Sequence, residues 1–241
     1  MKLSIINGHL IDPSNQINAK QNLYIDQGRI VSIGRQPEGF TSDHSINASN
    51  LVICPGLIDL SARLRERGQH NTASIASETK AAIKGGITTL CIAPDHDPII
   101  DSPATVDLIE GQVTRAGQAH VHTIGALTQG LQGELLSEML ALKQAGCLGL
   151  SNGPKTIKNT LILRRAMEYA ATLDLTLFIK ASDPWLQAQG CIHEGVVSSR
   201  LGLGGIPEAA ETIAIARDLS LIEQTGVNAH FHSISSGKTI N

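Results

Sequence analysis

The stretch PGLIDLSARLRERG, residues 55–68, divides the chain. Before it, short alternating segments are punctuated by turn residues; after it, short apolar runs alternate with helical patterns. The stretch opens on Pro55-Gly56, carries an apolar run with Asp59 inside it, and closes in polar and basic residues. It reads as a first buried strand, GLIDLS at 56–61, whose C-terminal end supplies Ser61, Arg63 and Arg65.

Five further strands are expected downstream: ITTLCIAP (87–94), VHTIGAL (121–127), CLGLS (147–151), LTLFIKA (175–181) and VNAHFHSI (227–234). Their near-continuous hydrophobicity suits strands covered on both faces. Helical patterns lie between them. SIASETKAAIKGG ends on Gly85-Gly86, a natural helix stop. SPATVDLIEGQVTRAG opens with Ser102-Pro103, cap then first turn. GELLSEMLALKQAG ends on Gly146, and NTLILRRAMEYAATLD repeats Leu163, Met167 and Ala170 at helical spacing. PEAAETIAIARDLSLIEQTG starts on Pro207, with Ile215, Leu219 and Ile222 as its expected apolar face.

This alternation predicts an α/β fold, a (β/α)8-type TIM barrel with about six of its eight units present over residues 54–241. An open doubly wound sheet is the runner-up, but no G-x-G-x-x-G follows a first strand. The chain stops at SSGKTIN, just past the sixth strand, which reads as a C-terminal truncation of such a barrel. Residues 1–53 form a separate small β portion, with turn signals at Asn7-Gly8 and Gln27-Gly28.

Composition narrows the function. Among 241 residues 41% are apolar but only 2% aromatic, so the core is aliphatic and no stacking platform for single-stranded nucleic acid is available. The net charge of −3, without basic blocks, offers nothing to nucleic acid or an anionic membrane. MKLSIINGHLIDP lacks the features of a secretory signal, and no apolar run is long enough to span a bilayer; a cytoplasmic protein is expected. Cys54, Cys91, Cys147 and Cys191 are scattered and read as buried free thiols.

Function in parallel barrels sits at the C-terminal strand ends. Here those ends carry Ser61 and Arg63; Asp95, His96 and Asp97; Asn152; Lys180 and Asp183; and His230, His232 and Ser233. A carbonyl-activating zinc needs imidazoles and carboxylates converging on the ion. Serine is a poor ligand and arginine, always cationic, repels a metal. His96 is read as part of a solvated loop. His120 and His122 begin their strand and fall at the barrel's bottom. His230 and His232 are the more tempting pair, but one histidine cannot hold a catalytic zinc. Arg63 with Asp59, Asp95 or Asp183 is expected to form an ion pair where a metal would otherwise sit.

The whole chain, from NGHLIDP to HSISS, resembles dihydroorotase of the amidohydrolase superfamily, most specifically in VICPGLIDLSARLRERG, ETKAAIKGGITTLCIAP, LRRAMEYAATLDL and GIPEAAETIAIARDLSLIEQTG. The family writes the first of these as P-G-x-I-D-x-H-x-H-x-R. The resemblance implies a barrel whose N-terminal strands join a small β-sandwich, and in active members zinc-dependent closure and hydrolysis of dihydroorotate and carbamoyl-aspartate. Carried over residue by residue, the metal positions are degenerate: the strand-one histidines fall on Ser61 and Arg63, the bridging acid near Asn152, and later histidines on Lys180 and Ser233. Arg65 matches the arginine that grips the substrate carboxylate, and Asp95 stands where the family has asparagine. No catalytic residue, metal ligand or cofactor is therefore expected. The match resembles the family's non-catalytic subgroup, which implies a structural role with aspartate carbamoyltransferase catalytic chains, in a hetero-oligomer of pyrimidine biosynthesis. The alternative is an active, zinc-dependent cyclic-amide hydrolase with divergent ligands.

Overall fold

The computed structural model describes residues 1–64, 74–116 and 118–240. The chain divides into two units, Met1–Leu57 and Ile58–Asn241.

The first unit is built on a long strand, β1 (Lys2–Asp12). It pairs antiparallel with β2 (Ile17–Asp26) and parallel with β4 (His44–Asn47) and β5 (Val52–Ile53), while β3 (Arg29–Ile33) lies beyond β2. Gln27-Gly28 makes the expected two-residue hairpin, with φ of 49° and 76°. Asn7-Gly8 does not turn the chain. β1 runs straight through it as a bulge, with a register shift between Ile5 and Gly8 and Asn7 at φ 64°. Asn7 is held there by Asn22 Oδ1, 2.9 Å from its amide. A Cβ on Gly8 would meet Ile53 Cδ1 at 2.3 Å, so glycine is what lets β1 and β5 approach. The small core gathers Leu10, Leu23 and Ala48, with Tyr24 packed edge-on to Phe40 at 5.5 Å.

The second unit alternates strand and helix: β6 (Leu57–Ala62), α1 (Ile75–Lys84), β7 (Ile87–Ile92), α2 (Pro103–Ala116), β8 (His120–Ala126), α3 (Met139–Gln144), β9 (Gly149–Ser151), α4 (Thr160–Thr172) and β10 (Thr176–Ile179). Then comes a small excursion, α5 (Pro184–Gln187), β11 (Ile192–His193), α6 (Val196–Leu201) and β12 (Gly205–Ile206), with β11 and β12 paired. The series closes with α7 (Ala209–Thr225) and β13 (Ala229–Phe231). The six main strands line up in chain order, β6-β7-β8-β9-β10-β13. The registers from β7 to β13 are all parallel. Ala93 N donates to Ala62 O at 3.1 Å and ties the end of β6 to that of β7.

The core lies between this sheet and its helices. Ile92, Ile100, Met139, Leu142, Leu150, Met167 and Leu177 are fully buried in it. Leu163, Met167 and Ala170 of α4 point inward as their spacing predicts. Two helices differ from expectation. α3 begins only at Met139, because the preceding residues are claimed by other bonds: Leu136 bridges Thr128, and the Ser137 hydroxyl donates to Ala126 O. α7 buries Ala210, Ala214, Ile215, Asp218 and Leu221, whereas Leu219 is 50% exposed. The inward stripe of α7 thus contains an aspartate that a purely apolar reading passes over. The cysteines are all free, but only Cys91 and Cys147 are buried; Cys54 and Cys191 are exposed.

Candidate functional site

Strand pleat decides what faces the mouth of the second unit's sheet. Ala62 and Leu64 are buried in the core, so the alternating Asp59, Ser61 and Arg63 share the opposite face. On the other edge, Phe178 of β10 sits beside His230 of β13. The pairing extends one step further, since His232 N donates to Ile179 O at 3.0 Å, which brings His232 alongside Lys180.

These faces enclose a cavity of about 40 Å³ lined by Ser61, Arg63, Ser151, Phe178, His230 and His232. A second cavity of about 30 Å³ adjoins it, sharing Gly153 and Phe178, and is lined by Asn152, Lys180, Arg217 and Asp218. Arg63 Nε donates to Asp95 Oδ2 at 2.9 Å, with the two side chains 58% and 20% exposed. The other two carboxylates that could have taken Arg63 are committed elsewhere. Asp59 Oδ1 accepts from Ser61 N at 2.9 Å, and Asp183 caps α5 through Trp185 N and Leu186 N. Asp95 Oδ1 is buried with no hydrogen-bond partner among the described residues. Arg65 lies outside the described residues.

Asn152 holds loops. Its Oδ1 accepts from the Thr128 hydroxyl at 2.6 Å and its amide donates to Lys155 O at 3.0 Å. Ser233 sits at φ 60°, exposed, with its hydroxyl 3.0 Å from His232 Nδ1. His232, set aside in favour of Ser233 on the resemblance, is the residue that reaches the cavity. The signal was the His-x-His spacing, which puts 230 and 232 on one face. Burial, then the positive charges of His230, Lys180 and Arg63, push its imidazole below the usual histidine range. His96 is not solvated: it is buried, with Nδ1 3.4 Å from Pro98 O and Nε2 without a partner among the described residues. His120 and His122 open β8, away from these strand ends.

At the base of the second cavity, Asp218 is 1% exposed and paired with Arg217 at 2.7 Å. Burial pushes its carboxyl up, and the Arg217 charge acts against that.

A zinc ion calls for at least three N, O or S donors converging on one point. Among the described residues no group of three histidines, cysteines or carboxylates does so. Ser61, Arg63 and Lys180 supply a weak donor and two fixed cations, and a divalent metal placed near them would be repelled. The donor set does not fit the metal.

The family described as dihydro-orotase-like matches residues 50–239. A dihydroorotase-like protein of Pseudomonas putida is 46% identical over 238 residues, 99% of this chain and 56% of its own length. A dihydroorotase of Geobacter metallireducens is 37% identical over 236 residues, 98% of this chain and 56% of its own. The chain thus spans a little over half the length of the curated relatives it matches. Among solved structures, the L-hydantoinase of Arthrobacter aurescens superposes with a TM-score of 0.76 at 18% identity, over 99% of this chain and 54% of that one. That likeness is one of fold, the parallel α/β sheet of a half-barrel. From its sequence, the chain belongs to the dihydroorotase-like family.

Proposed function

We propose that this chain is a non-catalytic member of the family, acting as a structural subunit with aspartate carbamoyltransferase catalytic chains in pyrimidine biosynthesis in the cytoplasm. In this reading the six parallel strands are the first six of an eight-unit barrel, and the five-stranded sheet is one layer of a β-sandwich. The observation that carries it is the Arg63–Asp95 pair, 2.9 Å long, at the strand ends where a hydrolase of this family would gather metal ligands. A guanidinium there neutralises a carboxylate without any ion, and leaves no electrophile to polarise an amide. The name dihydroorotase-like protein, which both Pseudomonas relatives carry, agrees with a family member set apart from dihydroorotase proper. The partner follows from the sequence resemblance.

Metal analysis of protein purified without chelator, a dihydroorotate hydrolysis assay and co-purification with aspartate carbamoyltransferase chains test this together. Expected are zinc at background, turnover no faster than the blank, and co-elution. One zinc per chain with measurable turnover would establish the cyclic-amide hydrolase instead.

A further inference from the structure

The second unit carries an open groove of about 790 Å³ beside the strand-end cavities. It is lined by residues 132–134, by the 154–159 connection together with Ile162 of α4, and by the two ends of α5. Of its lining residues only Lys155 and Thr156 also touch a strand-end cavity. Pro154, Ile162 and Pro184 give the groove apolar surface. Lys155 and Lys158 are exposed, and neither forms a salt bridge with any described residue. Lys158 Nζ lies instead 5.2 Å from the centroid of the Trp185 ring. An ammonium held over an indole is positioned without being neutralised. Trp185, the single tryptophan of the chain, is 77% exposed next to Pro184. Leu161, next to Ile162, is exposed as well. Glu134 is the one carboxylate in the lining, so two cations meet one anion there, on a chain whose net charge is −3. The groove is thus opposite in sign to the molecule as a whole.

We propose that this groove docks an extended acidic segment of a partner protein, its carboxylates on Lys155 and Lys158 and an apolar side chain against Trp185 and Ile162. Tryptophan is favoured as an interface anchor, and lysines at a rim steer a partner of opposite charge. A small molecule is the poorer fit, because pockets for such ligands enclose most of the ligand's surface and this groove is open. A concave face also suits a segment of chain better than it suits a bilayer. The assignment does not depend on whether the strand ends hold a metal.

The test uses the intact protein at 1 μM, about tenfold or more below the range in which self-association is expected. It is titrated with an acetylated hexapeptide of alternating glutamate and leucine, and the fluorescence of Trp185 is followed. A saturable change is expected, weakening as sodium chloride is raised. Lys155→Met with Lys158→Met, which keeps the apolar stems, should weaken binding at least tenfold, whereas Glu134→Gln should tighten it. These are surface positions, and unchanged circular dichroism would confirm that the variants fold. No saturable change, or equal affinity in the double variant, overturns the proposal and leaves the non-catalytic reading intact. Hexaglutamate binding as tightly as the mixed peptide would reduce the groove to unselective charge attraction and overturn the apolar contact. Anionic phospholipid vesicles that alter Trp185 and are not displaced by the peptide would make this face a membrane surface. A fall in the mass of the unliganded protein on Lys155→Met with Lys158→Met, seen by sedimentation velocity, would make the occupant a second copy. Either result overturns the acidic-segment assignment.

Discussion

Putting arginine where a strand end could carry histidine reverses the sign of what that position attracts. Restoring single residues should not undo this. Ser61→His with Arg63→His adds two imidazoles on one face of the strand, at a cavity already lined by His230 and His232. Adding Lys180→His provides a further donor and removes the second repelling charge. The triple variant is expected to bind zinc at least tenfold more tightly than the double, measured by competition with a chromophoric chelator. Arg217 offers a second test. Asp218 is 1% exposed, and its partner is the nearest positive charge. Arg217→Met would strand a desolvated carboxylate and cost about 3 kcal/mol or more at neutral pH in urea denaturation. The sign of the pH dependence follows from the direction of the shift. The folded pKa of Asp218 is already raised and would rise further, so the penalty falls as acid protonates the group, and the loss at pH 4 should be smaller than at pH 7.

At the scale of elements, the segment after β13 is tied to α7 by two carboxylates. Glu211 accepts from Ser235 N and Ser236 N, both at 2.9 Å, and from the hydroxyls of Ser235 at 2.6 Å and Thr239 at 2.8 Å. Glu208 takes the Ser236 hydroxyl and the Lys238 ammonium, both at 2.6 Å. Burial alone would raise the Glu211 carboxyl, but its hydrogen bonds outweigh that and hold it below the usual carboxylate range. A lowered acid stabilises the fold above its unfolded pKa, about 4.3, and that contribution fades as pH falls through the lower folded value. The protection factors of the Ser235 and Ser236 amides, exchange rates relative to the unstructured chain at the same pH, should therefore be high at pH 6 and fall below about pH 4. In Glu211→Gln they should be low at both, since an amide replaces one acceptor oxygen with a donor.

The sequence made most of these elements legible. Six strands announced themselves by apolar runs, and each is found within a few residues of its expected place, but β6 and β13 are not buried as those runs predict. α1 declared its stop by Gly85-Gly86 and α2 its start by Ser102-Pro103, while the caps Ser74 of α1 and Asn159 of α4 are seen in the structure. What escaped was decided by tertiary bonds that local pattern does not carry. Asn7-Gly8 has turn chemistry, but β1 has partners on both sides and absorbs the extra residue as a bulge. The excursion α5–β12 has four short elements, none long enough to show a period. At the candidate site, the ion pair of Arg63 was legible from charge alone among three acidic choices. Which choice wins depended on Asp59 and Asp183 being taken by backbone amides.

In the second unit the parallel sheet ends on β6 and β13, and among the described residues no strand pairs with the outer side of β6. Ile58 is 62% exposed and Leu60 42%. Unpaired backbone beside exposed aliphatic side chains invites another chain. As an isolated 241-residue polypeptide the protein is expected to self-associate at tens of micromolar, seen by sedimentation velocity. Ile58→Lys with Leu60→Lys should shift it toward monomer without loss of helical circular dichroism. A monomeric parent would show that this edge attracts nothing by itself.

The Arg63–Asp95 pair has a last consequence, which concerns supply. A strand end clamped by two side chains is finished when translation is finished, and its assembly waits for no imported ion. The protein should reach the same folded yield in cells grown in zinc-depleted medium as in supplemented medium. An organism short of metal would then lose zinc-dependent hydrolases before it lost this protein.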